Sequence, residues 1–197
     1  MIKIDLETVS KEDAYKWLTS TVIPRPIALV TTTSASGVVN VAPFSYFNIV
    51  TASPARLSIV IGKKAGALKD TARNIFETKK FVVHVVTEAN LEDTNLSASK
   101  IPYHQSELTI THFTVSKNDR FEVPHLNQSP VYFECVLDKH VAFEDSDMII
   151  GKAIHMHVDE GLLVQDRINI QSLKPIGRLS KNDYVSLGNI ITLKRPE

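Results

Sequence analysis

Between Ile23 and Gly62 the chain alternates short apolar, β-rich runs with breaks of small residues and proline. Ile27 to Val30 is apolar, Ser34 to Gly37 is a small-residue turn, a second run starts at Val38, Pro43 marks a bend, and two further runs are split at Ser53-Pro54. Runs of this length bounded by Gly, Pro and Ser predict antiparallel strands joined by tight connections, the start of a β-meander. Helices flank them. Ser10 precedes Lys11 to Leu18 with a carboxylate at Asp13, which predicts a short capped helix whose apolar stripe is Ala14, Trp17 and Leu18 and which Pro24 and Pro26 stop. Lys69 to Lys79 predicts a helix of about two turns, with Asp70 or Thr71 as N-cap and Lys79-Lys80 at its C-terminal end.

Phe81 to Val86 is apolar on both faces apart from His84, the pattern of a central strand covered on both sides. Glu88 to Ala98 reads as helical. Lys100 to Ser106 has no period and predicts a mobile loop near a site. Val131 to Leu137 alternates so that Val131, Phe133, Cys135 and Leu137 share a face, which makes Cys135 an inert core residue. Glu144 to Asp147 is a turn leading into Met148 to Val158, so the two runs form a long hairpin, with Gly151 marking a bulge or a close backbone approach. The tail from Gln171 mixes turn signals with short apolar runs such as Ile190 to Leu193. No repeat or linker divides the chain, and 197 residues suit one domain over 1–197, mainly β with peripheral α.

Composition narrows the partners. Lys plus Arg and Asp plus Glu are 22 each, so a net charge of zero gives no footprint for nucleic acid or an anionic membrane. No apolar run approaches the roughly 20 residues of a spanning helix, and the N-terminus lacks a signal-peptide pattern. The expected location is cytoplasmic. A single cysteine forms no internal disulfide, and the sequons at Asn95 and Asn127 are read as coincidences.

Two stretches carry candidate chemistry. The start of the helix at Lys69-Asp70-Thr71 offers free backbone N–H groups, a partial positive charge, an ammonium and a hydroxyl to a phosphate; equally, Asp70 could merely cap the helix. The segment Asn40 to Asn48 combines Ser45 and Asn48 with Phe44, Tyr46 and Phe47, suited to a flat molecule with a polar edge, or else to ordinary barrel packing with turn formers. His155-x-His157 puts two imidazoles on one strand face without a recognisable third ligand, so surface or packing roles are expected and no metal. Neither Gly-x-Ser-x-Gly nor Gly-x-Gly-x-x-Gly occurs, which leaves no handle for a serine hydrolase or a Rossmann domain.

Arg25-Pro26-Ile27-Ala28-Leu29-Val30, Asn40-x-Ala42-Pro43-Phe44-Ser45-x-Phe47-Asn48, Lys69-Asp70-Thr71-x-x-Asn74 and Leu173-Lys174-Pro175-Ile176-Gly177-Arg178-Leu179 followed by Tyr184 occur in that order. This series resembles the FMN-binding split-barrel proteins of the flavin reductase type, including the flavoredoxin group, over nearly the whole chain. The resemblance implies a Greek-key split β-barrel assembled as a homodimer. It implies FMN as cofactor, its phosphate at Lys69, Asp70, Thr71 and Asn74 with Arg25 and Lys63 or Lys64 as cationic helpers. The ring would lie along Asn40, Ala42, Pro43, Ser45, Tyr46, Phe47 and Asn48. It further implies hydride transfer from NAD(P)H with a flavin or a redox protein as acceptor and no dedicated catalytic side chain; the alternative is an electron carrier that exchanges with a protein partner. The chain departs from the family pattern at Ser180-Lys181, where a glycine pair is common, and at Pro54-Ala55, where a proline pair is often seen.

Overall fold

The structure, a computed structural model, describes residues 1–118 and 120–196. The first helix, α1 (Lys11–Thr21), is capped by Ser10, whose hydroxyl accepts from the Asp13 N–H at 3.0 Å. Its expected apolar stripe does not pack into the chain: Trp17 and Leu18 are exposed and only Thr19 is buried. The helix is held instead by polar bonds from Arg25, described below. A two-residue strand β1 (Arg25–Pro26) leads into β2 (Ala28–Thr33), β3 (Val39–Phe44), β4 (Phe47–Ala52) and β5 (Ala55–Gly62). Then come α2 (Asp70–Thr78), β6 (Lys80–Val85), α3 (Leu91–Leu96), the pair β7 (Val115–Asn118) and β8 (Phe121–Leu126), and the long hairpin β9 (Val131–Ala142) with β10 (Ser146–Val158). The short strands β11 (Leu163–Val164) and β12 (Arg167–Ile168), α4 (Ile170–Leu173), β13 (Ile176–Arg178) and β14 (Tyr184–Ser186) complete it.

Seven strands form one sheet in the order β3-β2-β6-β9-β10-β5-β4. The strands β3 and β4 are consecutive in sequence yet sit at opposite edges. Laid flat, six strand spacings of about 4.8 Å would separate those edges by roughly 29 Å. Three Cα steps of about 3.8 Å, from Phe44 to Phe47, span at most about 11 Å. The sheet therefore rolls until its edges meet, which makes a barrel split along the β3/β4 seam.

The meander expected from the sequence holds for the hairpins β2–β3 and β4–β5 but breaks between them. The outer edge of β3 cannot pair with β4, because the Val41 N–H is already taken by the Glu107 carboxylate at 2.8 Å and Pro43, two residues on and facing the same edge, has no N–H. The bend falls at Ser45-Tyr46 rather than at Pro43, which lies within β3 opposite Leu29.

Inside the roll, Val30, Ile59, Ile61, Phe81, Cys135 and Ile149 form the core, and α2 inserts Ala72 and Ile75 into it. Both faces of β6 are buried, as expected of a central strand. The β9–β10 ladder slips at Gly151, and a Cβ there would run into the Phe81 ring, so both readings of that glycine hold.

Candidate functional site

The start of α2 is fixed by buried side chains rather than by a cap. Lys69 occupies the cap position, and no side chain accepts from the first-turn N–H groups. Neither Asp70 nor Thr71 is the cap, because each has another partner. The Asp70 carboxylate turns along the helix to Arg73 at 2.8 Å, and the Thr71 hydroxyl accepts from the Asn40 amide of β3 at 2.9 Å. One turn later the Asn74 amide donates to Thr32 of β2 at 3.0 Å, and Tyr103 donates to Asn74 at 3.3 Å. Thr71, Asn74 and Asn40 are all buried. The motif lashes α2 to the β2–β3 hairpin so that its polar N-terminus is presented, uncapped, at the seam. The Lys100 to Ser106 segment is irregular, as expected, and Tyr103 ties it to α2 through Asn74 and by lying 4.5 Å from the Arg73 guanidinium.

At the other end of β3 a cleft of about 200 Å³ opens beside Pro43, Phe44 and Ser45. Its walls come from Ile27, from Thr94 and Asn95 of α3, and from Arg178 and Tyr184 of the β13–β14 hairpin. Tyr184 donates to Asn95 at 3.1 Å and carries the Arg178 guanidinium 4.4 Å above its ring, so hairpin and helix are braced across the opening. Of the ring-contacting residues expected from the sequence, Pro43 and Ser45 line this cleft, and Ala42 and Asn40 lie upstream on the same strand. Tyr46 lies in the bend and Asn48 beyond it, both exposed, with Asn48 Oδ1 accepting from the Ile49 N–H at 2.8 Å; Phe47 packs partly against the core.

Arg25 is not free for an anion. Its guanidinium donates to the carbonyls of Thr19 at 2.8 Å, Val22 at 2.7 Å and Leu179 at 2.7 Å, joining α1 and the C-terminal hairpin to β1. Lys63 likewise turns away from α2, reaching within 3.9 Å of buried Asp147. Glu107, Thr94, Asn95, Arg178 and Tyr184 were missed as site residues. Arg178 and Tyr184 stand in the C-terminal motif, which was their only signal; Glu107 gave none, because a carboxylate that covers a strand edge 66 residues away leaves no local pattern. Burial pushes the Glu107 carboxyl up, and the Val41 N–H opposes that shift.

His155 and His157 have protein partners. His155 and His157 approach the buried carboxylate of Glu134 at 2.7 and 3.2 Å, and Tyr132 is stacked between His125 and His157. Among the described residues, no group of three His, Cys, Asp or Glu is arranged to hold a metal ion. No helix among them is long and apolar enough to cross a membrane. Burial pushes the Cys135 thiol up to about 12, which matches its reading as an inert core residue.

A rolled antiparallel sheet split at one seam, with a helix N-terminus at one end of the edge strand and a cleft at the other, defines a split β-barrel. The chain belongs to the flavin reductase like domain family, whose model matches residues 19–173. It is 42% identical to the uncharacterized protein YwrF of Bacillus subtilis, over 96% of this chain and 97% of that one. Among solved structures it is similar to nitrilotriacetate monooxygenase component B from Bacillus cereus, with TM-score 0.96 and 37% identity over 98% of both chains. It is also similar to the 2-nitrobenzoate 2-nitroreductase NbaA of Pseudomonas fluorescens, with TM-score 0.90 and 30% identity over 99% of this chain and 96% of that one.

Proposed function

We propose that the protein is a cytoplasmic, single-domain FMN oxidoreductase that takes hydride from NAD(P)H and passes electrons to a second flavin, a redox protein or a small organic acceptor. One observation carries this reading: an α2 N-terminus without a side-chain cap, clamped through Thr71 and Asn40 to the strand whose far end lines the cleft and through Asn74 to that strand's hairpin partner. Six residues of extended strand cover roughly 17–20 Å, enough for an elongated nucleotide with its anion at α2 and its flat end near Pro43 and Ser45. The donor set fits. Backbone N–H groups of Thr71 and its neighbours with exposed Lys69 meet the phosphate, while Pro43 and Phe44 supply an apolar floor.

FMN bound there would supply the hydride-accepting and electron-passing chemistry. The chain's own residues bind, orient and exclude water: Asn40 and Asn74 fix α2, Ser45 offers a hydroxyl at the ring edge, and Arg25 keeps the C-terminal hairpin against the cleft. That the similar structures are component B of a nitrilotriacetate monooxygenase and a 2-nitrobenzoate 2-nitroreductase supports an electron-passing role over an interaction module.

A homodimer is part of the reading. The whole of β4 beyond Phe47 is exposed, including Ile49 at 73%, and α1 leaves Tyr15, Trp17 and Leu18 uncovered. Two copies joined through such faces would bury them; light scattering should give twice the chain mass, and Ile49→Lys should lower it. The decisive experiment is visible absorbance of purified protein with and without FMN, followed anaerobically after NADH and then NADPH. Bleaching of a bound-flavin spectrum supports the reductase. A yellow protein that neither nucleotide bleaches makes it a carrier, and failure to bind any flavin removes the proposal.

A further inference from the structure

We propose that a second cavity, between the β8–β9 corner and α4, is a binding site for a small aliphatic α-amino acid. Its volume of about 360 Å³ falls within the roughly 300–1,000 Å³ of small-molecule sites. None of its lining residues lines the cleft beside Ser45, so the site stands whether or not FMN occupies the seam.

Separate stretches of chain meet there, tied by backbone hydrogen bonds. The Glu88 N–H donates to the Lys174 carbonyl at 3.0 Å, the Asp159 N–H to the Pro130 carbonyl at 2.8 Å, and the Asn169 N–H to the Leu162 carbonyl at 2.8 Å. Inside this frame polar side chains are left over. Thr87 lines the cavity and is 3% exposed, and its hydroxyl has no hydrogen-bond partner among the described residues. The Asn90 N–H, which could have capped onto that hydroxyl, meets the Thr87 carbonyl at 3.3 Å instead. A hydroxyl buried in this way costs stability unless something in the cavity bonds to it.

Two opposite charges line the same cavity without pairing with each other. Among the described residues the Asp159 carboxylate accepts only from the Gly161 N–H, at 2.9 Å, and the Lys174 ammonium meets only Glu88, at 3.7 Å. The Lys174–Glu88 pair is exposed and worth little, which leaves the ammonium available. An α-amino acid carries the complementary charges on one carbon. Its ammonium suits Asp159 and its carboxylate suits Lys174, with the Thr87 hydroxyl as a further donor. Ala89, Pro130, Leu162 and Leu173 give an apolar wall for an aliphatic side chain. With no aromatic ring to stack on and a single cation, the lining suits neither a nucleobase nor a polyphosphate.

The test titrates leucine into the full chain, with and without FMN, against two analogues that each lack one charge, 4-methylpentanoate and 3-methylbutylamine. Binding is read from the amide chemical shifts of Gly161, Ser172 and Lys174. Wild type should bind leucine at least about tenfold more tightly than either analogue. Lys174→Gln should weaken leucine about 5- to 50-fold and leave 3-methylbutylamine unchanged, whereas Asp159→Asn should weaken leucine as much and leave 4-methylpentanoate unchanged. Thr87→Val should weaken leucine about fivefold without lowering the urea midpoint, because the hydroxyl it removes has no partner to lose. The proposal is overturned by the absence of shifts at about 10 mM leucine, by equal binding of the three probes, or by leucine binding that neither charge variant weakens. Tighter binding of 4-methylpentanoate than of leucine would make the cavity a plain anion site and overturn it as well.

Discussion

His84 sits fully buried in the central strand β6, and its ring is fixed as a neutral tautomer. Leu126 N–H donates to Nε2 at 3.0 Å, so Nδ1 carries the hydrogen and donates to the Leu29 carbonyl at 3.0 Å. Burial pushes its pKa down from 6.5 to about 3. The folded state thus refuses a proton that the unfolded chain accepts. Above pH 6.5 the residue contributes nothing to pH dependence; as pH falls from 6.5 towards 3, folding loses about 1.4 kcal/mol per unit. Between pH 7 and pH 4.5 the loss comes to about 2.5 kcal/mol, a large share of a typical domain's stability. Urea unfolding at pH 7.0, 5.5 and 4.5 should show this loss in wild type. His84→Gln, less stable at every pH, should lack about that much of the acid dependence. The His84 ring resonance should stay flat down to pH 4.5. A native-state midpoint near 6.5, or equal acid slopes in wild type and variant, would refute the argument.

Other perturbations test packing and site. Gly151→Ala drives a methyl into the buried Phe81 ring and to 3.2 Å from the Cys135 Cβ, and should cost about 1–3 kcal/mol by urea unfolding; an unchanged midpoint would contradict the close approach. Thr71→Val leaves the buried Asn40 amide without its acceptor and should cost about 1–3 kcal/mol, with FMN affinity falling about tenfold in a fluorescence-quenching titration. Cys135 should resist thiol reagents in native protein and react once urea unfolds it, because it is fully buried and its thiol sits near 12; fast native labelling would refute this.

Local chemistry was legible and distant partnership was not. Ser10, Gly151, the β9–β10 turn and the buried face of Cys135 followed from spacing, because each depends on neighbours within a turn, a bulge or a two-residue period. The helix over Asp70–Thr78 was legible too, but its cap was not: Asp70 and Thr71 are both good caps in isolation, and only Asn40, 31 residues away, draws Thr71 aside. The seam was hidden for the same reason. Whether β4 follows β3 as a neighbour or leaves for the opposite edge depends on Glu107 reaching Val41 as well as on Pro43; the proline stands in the sequence, but no local pattern reports the carboxylate. The apolar stripe of α1 was legible, but not what covers it, since Trp17 and Leu18 are exposed in this chain.

The motif residues turn out to be occupied mostly with one another. Arg25 serves three carbonyls, Asn40 serves Thr71, and Asn74 serves Thr32 and Tyr103. For an anion site at a helix end this is a reasonable use of polar side chains. The dipole of one helix N-terminus is worth only about 0.3–1 kcal/mol to an exposed charge, and it decays within the first turn. Such a weak, short-ranged field is useful only if the helix end stays where the ligand needs it, since misplacement by an ångström removes most of what orientation provides. Buried hydrogen bonds from α2 to two strands supply that rigidity at positions no ligand has to touch.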